Sequence, residues 1–242
     1  MDLTLDRRRR VLVTRPQEGA EKTARRIADL GHEPVILPLS RIVPLACAAP
    51  GKSTRFDAVA VTSANAIRHA GRALIDRLAE LPCIAVGEST ARGARGAGFL
   101  DVTSVDGGVS DVIAQLARTL PRGARIAYPC GRVRRPDLEA GARRDGFEIV
   151  AMETYDTEKV SYSTHELAGI LGMEPIDDVL VFSANGAAAL QGLPSIAYMN
   201  QIFENTRFIC ISERVAESIA PRGGQSVAVA AHPDEDALLA LL

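Results

Sequence analysis

The sequence predicts an α/β fold built on parallel sheet. Three observations carry that prediction: short apolar runs that are continuous rather than alternating, stretches of helical period between them, and one plan of segments that occurs twice. The runs VLVT (11–14), PVILP (34–38), DAVAVTS (57–63), CIAVG (83–87), ARIAY (124–128), EIVAMETY (148–155), DDVLVFS (177–183), RFICIS (207–212) and SVAVAA (226–231) read as strands covered on both faces. Helical patterns fall between them, at about 17–30, 64–80, 88–97, 109–120, 136–145, 163–173, 184–191, 195–204, 212–221 and 234–241. Gly31, Gly98 and Gly146 stand where helices should end, since Gly is favoured just past a helix C-terminus. Strand–helix–strand alternation at this spacing implies a parallel sheet.

The repeat bears on domain organisation. Segment V-x-V-T-S-A-N-A (59–66) matches V-x-V-F-S-A-N-G (179–186), and I-A-V-G-E-S-T-A (84–91) resembles I-C-I-S-E-R-V-A (209–216), at offsets of 120 and 125. A weaker pair sets VLVTRP and LGHEPVI against IAYPCG and DGFEIVA, with Gly31 opposite Gly146 at an offset of 115. Residues 11–98 and about 126–223 are therefore two copies of one plan. The stretch LPLSRIVPLA (37–46), with Pro38 and Pro44, reads as an extended crossing, as does the stretch from Met152 to about Tyr162. If both cross, one lobe holds 1–38 plus about 160–242 and the other about 42–153. A simple split near 105–124 fits the same residues.

A length of 242 residues allows one large domain or two small ones. With 47% hydrophobic and 24% charged residues the chain is globular rather than disordered. A net charge of −2 recruits neither nucleic acid nor an anionic membrane, and no apolar run approaches a membrane span. The basic start leads into only a short apolar stretch, so no secretory signal is expected. The run Arg7 to Arg10 reads as a solvated arm before the first strand. Cys47, Cys83, Cys130 and Cys210 are widely spaced without a C-x-x-C, and His32, His69, His165 and His232 are isolated. That spacing argues against a metal site and a disulfide framework, and points to an intracellular, cytoplasmic protein. Only Lys22, Lys52 and Lys159 are lysines; the arginine bias is genomic or serves bidentate carboxylate binding. G-A-R-G-A-G (93–98) lies at a helix end rather than between strand and helix, so it is no dinucleotide loop.

The order and spacing of several short motifs resemble uroporphyrinogen-III synthase. They are T-R-P (14–16), L-G-H-E-P (30–34), V-T-S-A-N-A (61–66), A-V-G-E-S-T-A (85–91), Y-P-C-G-R-V-R-R (128–135), E-T-Y-D-T following Val150 (150–157) and V-F-S-A-N-G (181–186). The resemblance covers nearly the whole chain. It implies two similar flavodoxin-like parallel-sheet lobes joined by two extended crossing segments, with substrate in the cleft between lobes. The implied reaction closes hydroxymethylbilane, a linear tetrapyrrole bearing carboxylates on every ring, to uroporphyrinogen III with inversion of ring D and loss of water. No cofactor and no metal is implied, and the chain is expected to act as a monomer on this small molecule.

A protein of near-neutral charge must hold such an anion by local donors. Ser63, Ala64 and Asn65 in one strand-to-helix turn, Ser89 and Thr90 in a second, and Ser183, Ala184 and Asn185 in a third sit at helix N-termini, where free N–H groups and the helix dipole favour anions. The same residue types also cap helices with no ligand at all. Arg15 after the first strand, and Arg132, Arg134 and Arg135 after Y-P-C-G, can grip carboxylates bidentately or simply face solvent. Tyr155 matches the tyrosine that the family sets at the cleft, where a phenol assists departure of the hydroxymethyl oxygen. A phenol is a weak acid, so positioning counts for more than full proton transfer. The alternative is a ring packed at a hinge. Thr90 is the second catalytic candidate, its hydroxyl opposite Tyr155.

The second copy departs from the pattern: Ser212 stands where the first has Gly87, and Arg214 and Val215 stand for Ser89 and Thr90. Arg214 would then replace hydroxyl hydrogen bonds with a charged donor. The departure also supports a second function, a non-catalytic two-lobe module that binds or senses an anionic tetrapyrrole. Cys130 lacks a partnering histidine motif and reads as a structural thiol; His32 and His69 read as surface or edge residues.

Overall fold

A computed structural model describes residues 8–51, 53–106, 108–193 and 197–242. Arg7 of the basic arm and the start of the helix expected from 195 lie outside the described residues. The elements follow in chain order. Strand β1 (Arg10–Val13), helix α1 (Gln17–Asp29), β2 (Glu33–Ile36) and β3 (Ser40–Pro44) come first. Then come β4 (Ala58–Val61), α2 (Ala64–Arg68), α3 (Arg72–Leu78), β5 (Cys83–Val86), α4 (Glu88–Ala97), β6 (Val102–Val105) and α5 (Val109–Thr119). β7 (Arg125–Gly131), α6 (Asp137–Arg144) and the long β8 (Glu148–Lys159) precede α7 (Thr164–Leu171). β9 (Asp178–Val181), α8 (Ala184–Gln191), α9 (Ala197–Ile202), β10 (Arg207–Cys210), α10 (Glu213–Ala216), β11 (Ser226–Val229) and α11 (Glu235–Leu239) complete the chain.

The chain forms two compact units, one of Met1–Arg41 with Glu158–Leu242 and one of Ile42–Thr157. In the first, the strand order is β11-β10-β9-β1-β2, and every pair is parallel. In the second it is β3-β8-β7-β4-β5-β6, parallel from β8 to β6. The backbone bonds from Leu45 N–H to Thr154 O and from Val160 N–H to Leu39 O bracket an antiparallel edge pairing of β3 with β8. The fold class is therefore the α/β, parallel-sheet class that the apolar runs predict.

Numbered within each unit, the first sheet has the flavodoxin-like order 2-1-3-4-5. The second has the same spatial order entered at its third position, so β4, β5, β6, β7 and β8 stand for β9, β10, β11, β1 and β2. The offsets drift from 115 for β1 and β2 to 124 for β5 and β6 because equivalent elements are joined by connections of different length.

Continuous apolar strands arise because each residue finds a covered face. In the first unit Leu12, Val179, Val181 and Phe208 enter one cluster, while Val11, Val13, Leu180 and Ile209 enter the cluster on the other face. In the second, Val59, Val61 and Ala127 face one way and Ala58, Ala60, Ile126 and Tyr128 the other. Each fully buried aliphatic contributes about 1.5–3 kcal/mol of burial free energy. Gly31 and Gly146 hold matching left-handed conformations, φ +87° and +88°, past α1 and α6. No described helix is long and apolar enough to cross a membrane.

Four readings change. The helix over 64–80 is two helices, because Gly71 turns extended (φ −61°, ψ 149°) and starts α3 afresh. The helix over 212–221 stops at Ala216, beyond which Ser218 and Ile219 N–H groups bond three residues back, tightening the chain out of α geometry. Strand β6 has no counterpart among the apolar runs, because Thr103 and Ser104 interrupt its pattern. His32 is buried, not at the surface; its Nδ1 accepts from the Arg9 N–H at 3.4 Å.

Candidate functional site

In the second unit the C-terminal ends of β4, β5, β7 and β8 share one sheet edge. The strand order reverses direction of travel between β4 and β7, which is where open α/β sheets hold ligands. At the end of β4, Thr62 Oγ1 and the Tyr128 hydroxyl are 3.0 Å apart, and Ser63 Oγ accepts from Asn65 N–H at 3.2 Å. The Asn65 side-chain oxygen accepts from Arg68 at 2.9 Å. Ser63 thus caps α2, and with only five residues α2 carries little dipole.

The turn after β5 differs. Gly87 begins α4 at φ +73°, with no side chain to cap it, so the first N–H groups of a ten-residue helix, Glu88 and Ser89, stay available. Ser89 is exposed and Thr90 is buried, 7% accessible. β5, which leads into α4 and Thr90, stands three positions from β8 in the sheet, about 14 Å at ordinary strand spacing.

Tyr155 owes its direction to a β-bulge. β7 and β8 pair in register from Arg125 opposite Glu148 to Cys130 opposite Glu153; then Gly131 stands opposite Tyr155, and Thr154 is the extra residue. Before the bulge Val150 and Met152 face one cluster and Ile149 the other. The extra residue returns Tyr155 to the face of Val150 and Met152, which a regular strand would deny it. Thr154 is fully buried, and its hydroxyl donates to Ala66 O at 2.8 Å, with Cys130 O the longer contact at 3.4 Å. The Tyr155 ring, half-buried, lies against Gly131, and its centroid is 6.2 Å from that of His69.

The arginines after β7 are already paired. Arg132 bonds Glu153 at 3.1 Å and Asp156 at 3.2 Å; Arg134 bonds Glu139 at 2.7 Å and Glu153 at 3.1 Å; Arg135 pairs with Asp137. Hydrogen bonds from Arg132 and Arg134 hold the Glu153 carboxyl below the usual glutamate range. Burial works against the Arg134 charge, and hydrogen bonds to Glu139 and Glu153 more than offset it, raising its pKa. A substrate carboxylate would therefore exchange with a protein carboxylate here rather than meet a bare cation. Burial pushes the Cys130 thiol up to about 11, which suits the structural role expected of it.

In the first unit, Arg15 follows β1 as expected but folds back: it bonds Glu235 at 3.1 Å and Thr23 at 3.3 Å, with its guanidinium 4.4 Å from the Phe182 ring centroid. Ser183 caps α8 through Gly186 N–H at 3.0 Å, while Ala184 and Asn185 open the helix. Ser212 makes no side-chain cap, and Arg214 is exposed on the four-residue α10.

Thr154 and Gly131, quoted above only within motifs, shape the surroundings of Tyr155 through a bulge, an event between two strands that motif reading does not see. Among the described residues, no group of three His, Cys, Asp or Glu side chains is placed to hold a metal.

Residues 21–240 match the family model described as Uroporphyrinogen-III synthase HemD. The uroporphyrinogen-III synthetase of Helicobacter pylori 26695 is 18% identical, with 96% of this chain and 97% of that one aligned at a TM-score of 0.63. A mutant uroporphyrinogen III synthase from the extremely thermophilic bacterium Thermus thermophilus is 17% identical, with 96% and 95% aligned at a TM-score of 0.56. At such identities the likeness speaks for the fold. No curated protein matches the chain.

Proposed function

The chain belongs to the uroporphyrinogen-III synthase family, a lyase family of haem biosynthesis, and from that premise we propose how its own residues act. The substrate is hydroxymethylbilane. The Tyr155 O–H donates to the terminal hydroxymethyl oxygen, the C–O bond breaks, and the pyrrole nitrogen lone pair stabilises the azafulvene left behind. The azafulvene carbon bonds the substituted carbon of ring D, giving a spiro intermediate that fragments and recloses with ring D inverted. One water is lost. Spontaneous closure yields the unrotated type I isomer, so the protein's work is chiefly conformational control.

The observation that carries this reading is the bulge at Thr154, which sets the Tyr155 ring against Gly131 and 6.2 Å from His69 at the C-terminal ends of the strands. Ser63, Ala64, Asn65 and Ser89 supply part of that edge, and Arg132, Arg134 and Arg135 the exchangeable cations. In the first unit Arg15, Ser183, Ala184, Asn185 and Arg214 serve other substrate carboxylates. Thr90, buried at the start of α4, is the second hydroxyl that serves the leaving group. The protein acts as a cytoplasmic monomer without cofactor; its free thiols at Cys83, Cys130 and Cys210 agree with a reducing compartment.

The test is incubation with freshly generated hydroxymethylbilane and separation of the porphyrin isomers after oxidation. Type III is expected; a mixture like the spontaneous one, dominated by type I, overturns the reading. Tight tetrapyrrole binding in calorimetry without turnover favours the non-catalytic sensor instead, the reading that the uncapped Ser212 turn supports.

A further inference from the structure

We infer that Gly131 and Thr154 are positioning residues that together seat the Tyr155 phenol; this rests on the reading of Tyr155 as the acid. The Gly131 backbone is not in the left-handed region, so the conformation itself would accept alanine. The space would not. A Cβ at 131 would stand 2.7 Å from Tyr155 Cζ and 3.0 Å from its hydroxyl oxygen. The ring, not the strand, requires glycine here.

Thr154 fixes the other side. It occupies the extra position of the bulge, fully buried, where its hydroxyl has two carbonyls to reach. Ala66 O belongs to α2, where the His69 and Ala70 N–H groups take the neighbouring Asn65 and Ile67 carbonyls, and the Thr154 hydroxyl meets Ala66 O at 2.8 Å. The second contact, to Cys130 O at 3.4 Å, spans the gap that the bulge opens in the ladder. The single hydroxyl proton goes to Ala66 O and ties the bulge to α2, with Cys130 O of β7 the longer contact. Without it the extra residue could relax and the register slip, carrying Tyr155 with it.

The other unit provides the contrast. At the offset of 115 that aligns Arg10 and Glu33 with Arg125 and Glu148, the counterparts of Gly131, Thr154 and Tyr155 are Pro16, Leu39 and Ser40. The equivalent ladder of β1 and β2 ends at Val13 opposite Ile36, two pairs short of the place where β8 bulges. There Pro16 and Leu39 stand in place of the glycine and threonine, and Ser40 in place of the tyrosine whose ring they would seat.

The experiment compares Y155F, T154V, T154S and G131A in the full chain, by isomer-resolved kinetics and by NMR of 13C-labelled tyrosine. Among four tyrosines, Y155F assigns the Tyr155 resonance. T154V and G131A are expected to lower kcat about tenfold with KM within about twofold, since small misplacement of a catalytic group is costly. Both should shift or broaden the Tyr155 resonance, and T154S should restore rate and resonance. If Y155F is slow while T154V and G131A keep wild-type kcat and resonance, the seat is overturned and the acid stands. If Y155F itself is unimpaired, the acid reading fails and the seat falls with it. Should T154V not fold, G131A decides alone, because it changes only the room beneath the ring.

Discussion

The two units share a strand order but set their densest charge clusters at opposite ends of the strands. In the first, Asp178 at the start of β9 is fully buried and holds Arg9 at 2.9 Å and Arg207 at 2.7 Å, while Arg10 spans Glu33 and the carbonyls of Glu174 and Leu171. In the second, Arg132, Arg134, Glu139, Glu153 and Asp156 gather where β7 and β8 end. Buried pairs at strand starts clamp a sheet. Half-exposed pairs at strand ends, such as Arg132 with Glu153, would leave charge open to exchange with a ligand. One scaffold, permuted, thus separates holding from handling.

The largest test of that division is D178N. It leaves two guanidinium groups facing a neutral amide in a water-poor site, and breaking a buried pair from one side should cost about 3 kcal/mol. Urea unfolding followed by circular dichroism measures it; a loss below about 1 kcal/mol would erase the distinction between clamp and exchange cluster. Next comes Y155F, expected to slow closure about 100-fold, the low end for general-acid assistance, with unfolding unchanged. A variant of the second unit would then lose chemistry and keep stability, the reverse of D178N.

Much of this scaffold is legible in the residues. Near-continuous apolar runs such as Ala58–Val61 and Asp178–Val181 mark the strands, and the glycines at 31 and 146 mark equivalent helix ends. Strand β6 escapes because Thr103 and Ser104 obscure an edge strand, although Val102–Val105 falls 124 residues before its counterpart Ser226–Val229, close to the offset of its neighbours. The site is harder to read. Motif order singles out Tyr155 and the arginines as candidates, but Glu153, 21 and 19 residues from Arg132 and Arg134, pairs with both, and only folding brings them together. His32 reads as superficial because isolation in sequence says nothing about what packs over it.

A smaller effect separates the two β-to-helix turns that the repeat aligns. Gly87 sits at φ +73°, whereas Ser212, its counterpart, is extended at −163°. G87S forces an L side chain into the left-handed region and should cost about 1–2 kcal/mol, read as a lowered Tm. S212G meets no such strain and should change stability by no more than about 0.5 kcal/mol. Equal losses would mean that the two turns differ in sequence only.

The smallest effect lies in the exchange cluster itself. Glu153 bridges Arg132 and Arg134 and titrates below the usual glutamate range because both hydrogen-bond its charged form. A carboxylate depressed by folding stabilises the native state above its unfolded pKa, and that contribution disappears as pH falls through the folded value. The acid limb of the stability profile should therefore flatten slightly in E153Q, by less than about 1 kcal/mol, since the pair faces solvent. Binding should move the other way. With the bridging charge gone, a substrate carboxylate no longer competes with Glu153 for two guanidinium groups, so KM should fall severalfold at neutral pH while kcat holds. A raised KM would instead make Glu153 the residue that keeps the arginines in place, and the cluster at the strand ends would be a clamp like the one at the strand starts.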